Sequence, residues 1–238
     1  MTAPFLLAMA LAFPTQVADR PGGPPADTFA PDPAWKPLDK TKSLWFDPRD
    51  GHKQLIVRAR VCLNEGFLEH LLCLEQTKEH ESILATRATP RMIHAGLLLT
   101  GAEKGHTVRY RPKFESPTGT PLAITVEWVE KGEKKTMDAR EWILDQKTKK
   151  TLAESWVFAG SDQFPDPEDA TKTIYAADGG DLITVANFTS AILDVPFASS
   201  GSDAERSFVA NELKIPPKNT YVTLIFTPIK EEAAAKPK

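Results

Sequence analysis

No apolar run in these 238 residues approaches the roughly 18–20 that cross a bilayer as a helix, so no transmembrane segment is expected. Basic residues are not in excess either. Lys and Arg number 29 against 32 Asp and Glu, a formal charge of -3, which gives no support to nucleic-acid binding. The chain has no GxSxG, GxGxxG, CxxC or EF-hand loop, so four common site classes lack their signatures. Internal repeats are absent. Cysteine is scarce, with two residues. Proline is not scarce but uneven: eight of the 20 fall within the first 40 residues. At 41% hydrophobic residues the remainder can bury a core, which excludes disorder throughout.

The ends of the chain differ from its body. Phe5 to Phe13 is a nine-residue apolar run, long enough for a signal-peptide core and too short to span a membrane. No Lys or Arg precedes it. Ala10-Leu11-Ala12 has the form of a cleavage site but lies inside the run, and Ala18 is preceded by Gln16 where a small residue is wanted. Residues 1–20 are therefore expected to be a signal peptide, with an extracytoplasmic destination, periplasmic or secreted. Residues 21–40 read as a Pro-rich linker, 41–229 as a single globular domain, and 230–238 as a charged, solvated tail.

The body predicts an α+β fold dominated by strands, with several β-hairpins packed against one or two short helices. Leu55, Val57, Ala59, Val61 and Leu63 alternate with Arg58, Arg60 and Cys62, one face of a strand. Asn64-Glu65-Gly66 then suggests a turn into a second strand over Phe67–Leu74. Further hairpins are predicted for Leu122–Glu130 with Lys134–Ala139, and for Thr173–Ala177 with Asp181–Ala186. Single strands are predicted at Thr107–Arg111, Trp156–Ala159 and Tyr221–Pro228. One helix is well punctuated: Thr89 at its N-cap, Pro90 in its first turn, Gly101 at its end, and Met92, Ile93, Leu97 and Leu98 as its apolar stripe.

The first hairpin bears on the cysteines. With a two-residue loop at Glu65-Gly66, Cys62 faces Glu69 and Cys73 faces Arg58. The cysteines then lie four pairs apart, about 13 Å, whereas a disulfide needs Cα atoms within about 7 Å. No intramolecular bridge is expected unless a bulge breaks this register; an intermolecular bridge stays open. The thiols are then either inert, or Cys73 beside Arg58 has a depressed pKa and serves as ligand or nucleophile.

Ligand-type side chains concentrate between residues 73 and 94: Cys73, Glu75, Lys78, Glu79, His80, Glu81 and His94. Three of the five histidines, His70, His80 and His94, lie within 25 residues of one another. His80-Glu81 begins like HExxH, but Leu84 stands at the second His position, which excludes zincin geometry. A looser metal site remains, with Cys73, His80, His94 and Glu81 as ligands for zinc or another transition metal. His80 and Glu81 could also form an acid/base pair, although neighbours on a strand point to opposite faces. Without a site, His80 is a solvated loop residue and His94 a half-buried helix residue. Asp178-Gly179-Gly180-Asp181 reads as a hairpin turn in preference to a calcium loop.

Several of these segments together resemble the YdjY-domain proteins of bacteria in their exported form. They are Val61-Cys62-Leu63, Leu72-Cys73-Leu74, Thr77-Lys78-Glu79-His80-Glu81-Ser82, Ile93-His94-Ala95 and Leu97-Leu98. Pro117-Thr118-Gly119, Trp156-Val157-Phe158-Ala159-Gly160-Ser161, Asp178-Gly179-Gly180-Asp181, Asn187-Phe188 and Ala191-Ile192-Leu193-Asp194 continue the likeness. The resemblance implies one secreted or periplasmic domain behind a leader. It implies no reaction, because the family carries no established activity. Two functions follow as expectations. One is a non-catalytic extracytoplasmic module that binds an envelope component, a protein or a small ligand. The other is a metal- or thiol-dependent site, hydrolytic or redox, on Cys73, His80, Glu81 and His94.

Overall fold

The computed structural model describes residues 29–51, 53–202 and 207–229. The leader-like run, the first part of the Pro-rich linker and the charged tail lie outside them. In chain order the strands are β1 (Lys36–Pro37), β2 (Leu44–Asp47), β3 (Gln54–Val61), β4 (His70–Leu74) and β5 (Ser82–Thr86). The helix α1 (Pro90–Leu99) follows. Then come β6 (Pro121–Glu130), β7 (Glu133–Asp138), β8 (Ile143–Asp145), β9 (Trp156–Phe158), β10 (Gln163–Pro165) and β11 (Thr173–Tyr175). The last are β12 (Asp181–Thr184), β13 (Leu193–Asp194), β14 (Phe208–Ala210) and β15 (Tyr221–Pro228).

Eight strands close into a barrel-like ring in the order β3, β15, β6, β9, β13, β12, β4, β5 and back to β3. Closure removes the unpaired edges that an open sheet would expose. Most pairings are antiparallel, but β4–β5 and β12–β13 are parallel. The predicted inward face of β3 holds: Leu55, Val57, Ala59 and Val61 are all at most 2% exposed. They pack in one cluster with Leu122, Ile124, Val126, Trp156, Leu224 and Phe226. Burying each large side chain contributes roughly 1.5–3 kcal/mol. The edge strand β7 carries Glu133, Lys134 and Lys135, charges that discourage pairing with another chain.

The helix forms where predicted, with Pro90 in its first turn and Thr89 at the N-cap position, though the Thr89 hydroxyl makes no capping bond. Its Gly96 backbone rests directly on Leu55, where an added Cβ would stand 2.4 Å from a Leu55 methyl. Gly101 beyond its end has φ +85. Strands β6 and β7 form the hairpin expected from their sequence.

Other expectations need correction. β3 and β4 do not pair; β5 lies between them, antiparallel to β3 and parallel to β4. β3 instead forms its local hairpin backwards, with β2. β11 pairs with β10, and β12 with β4 and β13, so the third hairpin is absent. Residues 107–111 contribute only an isolated bridge, Arg109 with Glu115. The described part of the linker is structured: β1 pairs with β2, and the Phe29 ring packs against Trp35 and Trp45. Among the described residues no helix is long and apolar enough to cross a membrane.

Candidate functional site

Strands β4 and β5 run parallel, with His70 opposite Ser82. The residues just before each strand therefore meet. The N–H groups of Glu69 and His70 both donate to the Glu81 carbonyl, at 3.0 and 3.1 Å. On the other side, the Val185 N–H donates to the Glu69 carbonyl at 2.8 Å. These backbone bonds bring the side chains of Glu69, His70 and Glu81 together. One ring nitrogen and a carboxylate oxygen from each glutamate lie within 4.8 Å of one another, and all three residues are buried.

The imidazole is fixed from two directions. Its Nε2 lies 2.7 Å from Asp181 Oδ1, and its ring stacks on Phe188 with an interplanar angle of 5°. The Ser190 hydroxyl donates to the other Asp181 oxygen. Burial pushes the Asp181 carboxyl up, but the bonds from His70 and Ser190 outweigh it and hold the group below the ordinary carboxylate range. With Nε2 engaged, Nδ1 is left buried without a hydrogen-bond partner. The order of contacts is Ser190, Asp181, His70. A nucleophilic triad needs the serine on the histidine, so this is not one. It is an imidazole oriented by a carboxylate, the arrangement that usually stands behind a metal-ligating histidine.

Of the three, Glu69 lines a cleft of about 750 Å³, together with Tyr110, Phe114, Asn187, Phe188 and Gly201, among others. A Cβ on Gly201 would come within 2.9 Å of Glu69 Oε1, so this backbone sits close on the carboxylate. Behind Phe188 lies Asp194, wholly buried, which receives bonds from Thr184, Asn187 and the Val195 and Phe188 N–H groups. Burial pushes its carboxyl up to about 7 against those donors. A groove of about 800 Å³ lies elsewhere, between residues 29–35 and the outer faces of β6 and β15. None of the residues lining it belongs to the Glu69 group.

Of the four predicted ligands, the structure places one, Glu81, in this group. His80 is beside it but points outward, with 74% of its side chain exposed and Nε2 3.7 Å from Glu81 Oε1. His94 sits on α1, with Nδ1 2.7 Å from the Tyr175 hydroxyl and its ring edge-on to Phe158. Burial pushes the His94 imidazole down. Cys73 is buried on β4 between Ala85 of β5 and Asp181 of β12, and does not face Arg58. Arg58 pairs with Thr223 across β3 and β15. Glu69 and Ser190 carry no local signal that singles them out, and Asp181 stood out only as the last residue of the Asp178–Asp181 turn. His70 had one, a histidine heading the apolar run Leu71-Leu72-Cys73-Leu74.

The sequence model of the YdjY domain matches residues 51–227, three quarters of the chain. The chain belongs to the YdjY domain family. Glu69, His70, Glu81, Asp181 and Ser190 all lie inside the matched segment, as do nearly all the barrel strands. No curated protein and no solved structure matches the chain. The YdjY match supplies membership, and the chemistry must come from the residues. One imidazole nitrogen and two carboxylates make a mixed N/O donor set, suited to zinc, manganese or ferrous iron.

Proposed function

We propose that this YdjY-domain protein is a non-catalytic extracytoplasmic binding module that takes a divalent cation at Glu69, His70 and Glu81. The observation that carries the reading is the buried Nδ1 of His70. It has no hydrogen-bond partner, while the opposite nitrogen is held by Asp181. A buried polar atom left unpaired costs roughly 1–3 kcal/mol, and a bound cation would remove that cost. Among the three residues, Glu69 borders the cleft. A catalytic role draws no support from Ser190, whose proton is directed at Asp181.

The extracytoplasmic assignment is supported by the apolar run Phe5 to Phe13 and is tested by N-terminal sequencing of the chain recovered from its native compartment. Cation binding is tested on protein purified without chelator and then dialysed. Titration with zinc and manganese should show one site per chain. His70→Ala should abolish it, Asp181→Asn should weaken it about 10–100-fold, and His80→Ala should leave it unchanged. Equal affinity in wild type and His70→Ala would refute the site.

A further inference from the structure

The segment Arg109-Tyr110-Arg111-Pro112-Lys113-Phe114-Glu115 interleaves cations with aromatic rings. Its ends are clamped together. The Arg109 N–H donates to the Glu115 carbonyl at 3.0 Å, and the Glu115 N–H donates back to the Arg109 carbonyl at 2.8 Å. Their side chains add an ion pair at 3.2 Å. The residues between them, 110–114, are all exposed. A second tether comes from the body of the domain, where the Asn187 carbonyl accepts from the Tyr110 hydroxyl at 2.8 Å. The Tyr110 residue stays 56% exposed, and Phe114, 40% exposed, sets its ring 6.1 Å from that of Tyr110. A short loop fixed at its base thus holds two aromatic rings in water.

Charge on the loop is one-sided. Arg109 is engaged by Glu115, whereas among the described residues Arg111 and Lys113 enter no ion pair. From 109 to 115 there are three cations against one carboxylate, in a chain whose formal charge is -3. The local sign is therefore opposite to that of the whole molecule, so an anionic surface attracts this loop and repels much of the rest.

We propose that the 110–114 loop docks the protein on an anionic lipid surface, with Arg111 and Lys113 at the headgroup phosphates and the Tyr110 and Phe114 rings in the interfacial layer. Amphipathic aromatic side chains favour that depth, and basic side chains are drawn to anionic headgroups. The clamp at Arg109 and Glu115 keeps the ordering cost of docking small. Each cation near such a surface strengthens binding about fivefold, so Arg111 and Lys113 together supply about 25-fold. The contact is weak and reversible on those terms. A nucleic acid needs a longer track of cations than these two. Tyr110 and Phe114 also line the 750 Å³ cleft, so docking turns the mouth of that cleft toward the lipid. The cation group is not needed for it, and either proposal can fail without the other.

The test is co-sedimentation of the full chain with vesicles of phosphatidylcholine mixed with phosphatidylglycerol, against vesicles of phosphatidylcholine alone, with chelator present. The readout is the ratio of the two affinities. The apolar run Phe5 to Phe13 carries no charge and binds both vesicles alike, so it does not create that ratio. The expected result is preference for the anionic vesicles, fading as salt is raised. Arg111→Gln with Lys113→Gln should lower the preference about 25-fold, and Phe114→Ser should weaken binding to the anionic vesicles. All three substitutions are at exposed positions, and urea melts matching wild type check that the variants fold. Equal binding of wild type to both vesicles would overturn the proposal, as would a preference that survives the double substitution. Binding that appears only when chelator is replaced by zinc would assign the contact to the cation group instead. Binding to dextran sulfate as tight as to the anionic vesicles, and untouched by Phe114→Ser, would assign the loop to an anionic polysaccharide and overturn the lipid assignment.

Discussion

His70 and Asp181 lie 111 positions apart in the chain, and Nε2 of the first is 2.7 Å from Oδ1 of the second. The histidine is fully buried, so no water replaces Asp181 at Nε2 if the contact is lost. Asp181→Asn should therefore destabilise the protein by about 1–3 kcal/mol, the usual cost of a lost buried polar partner. A urea melt measures it. The folded Asp181 carboxyl is held below its unfolded value of 3.8, so its contribution is present above that pH and lost as pH falls further. The destabilisation by Asp181→Asn should accordingly shrink in strong acid.

Asp194 gives the opposite slope. Its folded value is raised from 3.8 to about 7, so the folded protein holds a proton that the unfolded chain has released. Stability should decline as pH rises from about 4 to 7 and level off above, by up to about 4 kcal/mol for a full shift of this size. Urea midpoints across that range check the wild type. Asp194→Asn should flatten the profile while lowering its baseline, because an amide replaces one acceptor oxygen among four donors.

His94 works against Asp194 over part of the same range. Its folded value is lowered from 6.5 by burial, so the unfolded chain binds the proton first and stability is lost as pH falls below 6.5. In His94→Gln that acid-side loss should disappear. The variant leaves the cation group untouched, so zinc affinity should not change.

Gly119 should tolerate no side chain. Its φ is +138, and an added Cβ would stand 2.1 Å from the Phe158 carbonyl oxygen. Gly119→Ala should cost about 2 kcal/mol or more, through backbone strain and through displacement of β9. Gly132, at a turn with open space, should tolerate the same change far better, although its φ of +82 carries strain too.

The parts of the fold legible in the sequence were those set by local pattern. The alternation of β3, the punctuation of α1 and the β6–β7 turn each need only neighbours a few residues away. The hairpin of β3 with β4 looked equally local and was wrong. β4 is buried on both faces, so its apolar run does not say which strand lies beside it, and the parallel strand β5 took that place. The cysteine register went wrong with the hairpin, and so did the expected contact of Cys73 with Arg58. Of the group proposed to take a cation, the sequence picked out Glu81 as a ligand and marked His70 only as one histidine among three. Glu69 and His70 come from the head of β4, and Asp181 from β12, and only barrel closure brings them to Glu81.

Zinc K-edge X-ray absorption on the zinc-loaded protein tests the central claim most directly. The account predicts a first shell of one imidazole nitrogen with carboxylate oxygens, lost in His70→Ala. Sulfur at about 2.3 Å would contradict it and return the metal to Cys73.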